Sequence, residues 1–138
     1  MNLLAIAMVS AALLCQGPAP LLAAEALEVT VAAECTTVGT TWDGARSVCD
    51  SEWSTMTVPE GFVFIESSYT VTVVSENGSD SQAHHEWADY VEIVPGTGIT
   101  APRTLRVRVH ARSPGGSFQP GRRGWMKIRA TAKYTKYR

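Results

Sequence analysis

Near the end of the chain, Arg106, Arg108, His110 and Arg112 stand at every second position, interleaved with Leu105, Val107, Val109 and Ala111. A similar set follows, in which Lys127, Arg129 and Lys133 alternate with Met126, Ile128, Ala130, Ala132 and Tyr134. Cations spaced in this way neutralise anionic groups. Their chemistry is recognition of an acidic glycan, a lipid headgroup or an acidic protein partner, not bond cleavage. If the two segments form a hairpin, all seven cations line one sheet surface. The competing reading is architectural. The chain holds no Asp or Glu after Glu92, and Arg46 is the only Lys or Arg before Arg103. The basic part can therefore pair across strands with Glu28, Glu34, Glu66 or Glu92, each opposite-charge pair contributing about 0.2–1 kcal/mol.

Other residues suggest less specific chemistry. His84-His85-Glu86, with Asp80 and Asp89 nearby, supplies imidazole and carboxylate, the donors for zinc or copper. The spacing follows no metal motif, so no metal site or cofactor is assigned, and His84 and His85 are the pair to test first. Asp43, Asp50 and Glu52 lack the dense oxygen-ligand loop of a calcium site. No G-x-S-x-G elbow or comparable nucleophile motif occurs, and the expectation is that the protein is not an enzyme. Asn77-Gly-Ser79 fits a glycosylation sequon and also reads as a turn.

These side chains need a scaffold, and the 138 residues suit one domain. Leu3 to Leu14 is an uncharged apolar run, followed by Gln16-Gly-Pro-Ala-Pro20 and the small residues of Leu22-Ala-Ala24. That layout predicts a secretory signal peptide over 1–24, cleaved after Ala24 or Ala26, and a β-sandwich domain over 25–138. The run falls short of the roughly 20 apolar residues that span a bilayer, so the mature chain is expected to have no transmembrane segment. Cys15 raises a lipid anchor as an alternative, although Leu14 sits where such a signal wants a small residue. The expected location is secreted or periplasmic, which argues against intracellular nucleic acid as the partner. Cys35 and Cys49 remain, and an even pair in a secreted chain reads as a disulfide. Closing a loop of that length contributes about 3 kcal/mol in chain-entropy models.

The mature part reads as short β-branched or aromatic runs separated by turn residues. The expected fold is all-β: a single antiparallel β-sandwich of about seven or eight strands, immunoglobulin-like or jelly-roll-like topology being left open. Leu27–Glu34 alternates with an acidic outer face. Asp43-Gly44 is a two-residue hairpin signal between Thr36–Trp42 and Ala45–Val58. A regular hairpin there pairs Cys49 with Val38, so a distorted hairpin is expected. Phe62–Ile65, Tyr69–Ser75, Trp87–Val94, Thr104–Arg112 and Trp125–Tyr134 are further strands. Asn77 to His85 reads as an exposed loop, and Ser113–Gly124, with Phe118, Arg122 and Arg123, as another.

Gly124 ahead of an alternating last strand, with Tyr137 penultimate, is similar to the C-terminal pattern of chaperone–usher pilus subunits. The alternating strand Glu25–Glu34 also looks like a donor strand. The resemblance covers little more than these two terminal segments. It implies an incomplete sandwich that polymerises by strand addition. Three functions are therefore open to this sequence: a binding domain with a basic sheet face, a strand-exchanging subunit of a surface assembly, and a small secreted metal-binding protein or enzyme.

Overall fold

A computed structural model describes residues 25–38, 47–77, 81–114 and 121–138. Within them the chain forms eight strands: β1 (Glu25–Thr36), β2 (Val48–Asp50), β3 (Ser54–Thr57), β4 (Phe62–Phe64), β5 (Thr70–Asn77), β6 (Gln82–Val94), β7 (Ile99–Arg112) and β8 (Arg123–Lys136). They build two antiparallel sheets that pack face to face, as expected for a sandwich. In the first sheet β8 is central, with β1 along one side and β4 and β5 end to end along the other. In the second, β7 is central, with β6 on one side and β2 and β3 end to end on the other.

The two central strands owe their position to composition. Leu105, Val107, Val109 and Ala111 of β7 are completely buried, as are Ile128, Ala130 and Ala132 of β8. Strict alternation turns these residues to the interface and their basic neighbours outward. Each buried Val, Leu or Ile contributes about 1.5–3 kcal/mol. Val31, Ala33, Met56, Val58 and Phe64 complete the core between the sheets.

The arrangement corrects three expectations. First, β7 and β8 do not form a hairpin, because they are the centres of opposite sheets. The chain crosses the sandwich between them, and Gly124 allows the crossing: a Cβ there would lie 2.2 Å from the Arg112 carbonyl oxygen. Second, β1 and β2 also lie in different sheets. The Cys35–Cys49 disulfide (Cα–Cα 5.8 Å) therefore ties one sheet to the other and is not the base of a distorted hairpin. Asp43-Gly44 itself lies outside the described residues. Third, β6 begins at Gln82, so His84 and His85 sit on a strand, where backbone pairing with β7 holds them.

β6 and β7 do form a hairpin, closed by Pro95–Gly98. Glu92 Oε1 there accepts from the backbone N–H of Thr97 (3.1 Å) and Gly98 (3.0 Å). Asp89 adopts φ 54°, a left-handed conformation that Asp tolerates better than most residues. Its Oδ2 accepts from the Thr104 hydroxyl at 2.6 Å. No helix among the described residues is long and apolar enough to cross a membrane.

Candidate functional site

The structure divides the seven candidate cations between the two outer surfaces of the sandwich. Arg106, Arg108, His110 and Arg112 project from β7 on the second sheet. Lys127, Arg129 and Lys133 project from β8 on the first. No single basic face unites them.

Of the β8 set, Arg129 is matched by an acid of β1. Antiparallel register brings Glu28 opposite Thr131 and Thr30 opposite Arg129, and the Arg129 guanidinium reaches the Glu28 carboxylate at 3.2 Å. Arg123 donates to Glu34, and the Tyr134 hydroxyl donates to Glu25. Both members of the Arg129–Glu28 pair are about half exposed. Such pairs contribute about 0.2–1 kcal/mol, less in salt. The acidic first strand thus matches the last strand and not β7. Among the described residues, Lys127 and Lys133 have no carboxylate partner.

The β7 set has different surroundings. Arg106 lies 3.5 Å from Glu86 of β6. The Asp50 carboxylate of β2 meets His110 Nδ1 at 2.9 Å. That hydrogen bond, with the charges of His110, Arg108 and His84, holds the Asp50 carboxyl below its ordinary value. Between β2 and β3 the regular pairing with β7 breaks after Ser51, which still bonds to Val109, and Trp53 from this break folds over the arginines. Its ring centroid is 4.8 Å from the Arg106 guanidinium carbon and 4.6 Å from that of Arg108. Cation–π contacts of this kind contribute about 0.5–1 kcal/mol at exposed sites. Across the sheet His84 stands opposite Arg108. Arg108 has no carboxylate partner among the described residues, and its Nε is buried without a hydrogen bond. Trp53 was not legible as part of this site. Its position follows from a strand break that no residue pattern announces.

His84 and His85, the pair considered for metal, point to opposite faces of β6 and do not converge. His85 stacks on Tyr69, with ring centroids 4.1 Å apart, and meets Trp87 edge-on at 6.0 Å. Among the described residues, no group of three or more His, Cys, Asp or Glu side chains is placed to hold a metal. Burial of Tyr69 raises its phenol above the usual value. Asp43, Asp80 and Phe118 lie outside the described residues. Asn77 is exposed, and its Nδ2 donates to the Arg123 carbonyl at 2.8 Å.

No family model, curated protein or solved structure matches the chain.

Proposed function

We propose that the protein is a secreted or periplasmic binding domain that takes an anionic ligand on the outer face of its second sheet, centred on Arg108. The observation that carries this reading is the pairing of Arg108 with Trp53 in place of a carboxylate. Its guanidinium lies over an aromatic ring, which restrains its donors at little entropic cost. Arginine donors arranged in this way suit planar or tetrahedral oxyanions. Arg106, His84 and His110 surround it. Same-face positions on a strand recur about every 6.6–7 Å, so the row supports a linear polyanion lying along β7. The apolar face of Trp53 adds contact area.

The strand-exchange reading fits less well. All of β1 pairs with β8 of its own chain, from Glu25 to Thr36, leaving this strand integral to its own sheet.

Retention on heparin and on anionic-lipid vesicles across a salt series tests the proposal. Binding is expected at low salt and is weakened by added salt. Arg108→Glu removes most of it, and Trp53→Ala weakens it. Absence of retention at low salt, or retention unaffected by Arg108→Glu, overturns the reading.

A further inference from the structure

We infer that the opposite, outer face of the first sheet carries a second and independent ligand site, for an acidic pyranose residue of a glycan, in the notch between Trp125 and Lys127. Two rows of side chains cross this sheet. Glu34, Trp125 and Asn77 form one, and Ala32, Lys127 and Ser75 the next. Small side chains thus flank Lys127 on both sides, while the row beside it carries an indole. The result is a depression of 260 Å³ lined by Ala32, Glu34, Ser75, Trp125 and Lys127, over the backbone of Ala33 and Met126. That is below the range of drug-sized pockets, about 300 Å³ upward, and suits one ring.

The chemistry of the walls selects the ring. Trp125 is 37% exposed, a large aromatic surface left in water on a sheet face otherwise rich in Thr and charge. The row that holds it is tied down at both ends by Arg123, which donates to Glu34 and whose carbonyl accepts from Asn77 at 2.8 Å. A pyranose presents an apolar C–H face to such a ring and hydroxyls to its polar surroundings. Lys127 is the charged wall and has no carboxylate partner among the described residues. Its ammonium complements a carboxylate on the sugar. The site does not depend on Arg108, which lies on the other side of the sandwich.

The test is a titration of isotope-labelled protein, followed by NMR, with a glucuronic-acid tetrasaccharide and with a neutral glucose tetrasaccharide. Trp125→Phe assigns the Trp125 indole N–H signal. The acidic sugar is expected to shift that signal and the Lys127 amide saturably. Lys127→Met weakens binding about tenfold, the worth of one charge-assisted hydrogen bond. Trp125→Ala abolishes binding, Trp125→Phe keeps most of it, and Arg108→Glu leaves it intact. An unshifted Trp125 signal, equal affinity for the neutral sugar, or Phe as damaging as Ala overturns the inference. Loss of the Trp125 response in Arg108→Glu also overturns it. Failure of heparin binding with this response retained separates the two sites.

Discussion

Two regions of the sandwich, built from the same kind of alternating strand, differ sharply in closure: the corner around Cys35–Cys49 and the flank between β5 and β6. At the corner the disulfide joins the two sheets, and Ser113 is fully buried. Ser47 and Ser113 exchange hydrogen bonds: the Ser113 N–H donates to the Ser47 carbonyl at 2.9 Å, and Ser113 Oγ accepts from the Ser47 N–H at 2.8 Å. Thr37 donates its backbone N–H to Arg122 (2.8 Å) and its hydroxyl to Pro114 (2.7 Å). On the flank, Val71 and Val73 sit opposite the fully buried Ala130 and Ile128 and share their inward face. They nevertheless remain 37% and 46% exposed. Here the space between the sheets is filled by the rings of Phe64, Tyr69, His85 and Trp87, and the facing sheet leaves the valines uncovered. The difference shows that alternation sets the direction of a side chain, whereas cover depends on what the other sheet places over it.

The flank is nevertheless protected against pairing with another chain. A bulge at Val74 shifts the register of β5 and places Glu76 opposite Met126 on the inner face. The left-handed Asp89 interrupts the ladder of β6. An inward charge and a bulge are devices that discourage edge-to-edge association.

If the corner holds the sheets together and the flank does not, substitutions should separate the two. Cys35→Ser with Cys49→Ser should cost about 2–4 kcal/mol in denaturant unfolding. A loss below about 0.5 kcal/mol, the range of an ordinary surface change, would contradict the role given to the corner. Gly124→Ala forces a Cβ against the β7 backbone and should cost about 1–3 kcal/mol by the same measurement. Glu28→Ala removes an exposed ion pair and should cost less than about 1 kcal/mol, with the difference shrinking in high salt. On the flank, Val73→Thr should change stability by no more than about 0.5 kcal/mol, and amides of β5 should exchange faster than those of β8. Equal costs at Val73 and Gly124 would erase the distinction.

Acid sharpens the same comparison. Asp50 lies beside Cys49, and its lowered carboxyl favours the ionised, His110-bound form in the folded protein. Its contribution is present above the ordinary value of 3.8 and is lost as pH falls through the lower folded value. Asp50→Asn should therefore flatten the stability profile below pH 3.8, as followed by circular dichroism. At the alkaline end, hydrogen bonds to Glu66 and Glu25 hold the Tyr90 and Tyr134 phenols protonated beyond their ordinary value of 10.0. Glu25→Ala should bring one tyrosine absorbance step back toward that value.

Much of the scaffold was legible from residue order. Leu27–Glu34, Thr104–Arg112 and Trp125–Tyr134 alternate so regularly that their buried and outward faces follow directly. The candidate site was legible only in part. Arg106 and Arg108 announced an outward basic row, but Trp53 lies in a strand break with no periodicity to place it. His85 was obscured by the polar stretch before it, where backbone pairing to Val107 outweighs local composition.

The sequence by itself determined the all-β class, the inward sets of β1, β7 and β8 and the pairing of the two cysteines, because these depend on residue type and local period. Only the tertiary structure decided which strands become neighbours. A period of two specifies a face but carries no information about the partner across the ladder. β7 and β8 fall in opposite sheets, with Gly124 at the start of β8 passing close against the end of β7. That placement splits the basic residues between two surfaces, with Arg108 against Trp53 on one and the acids of β1 beside β8 on the other.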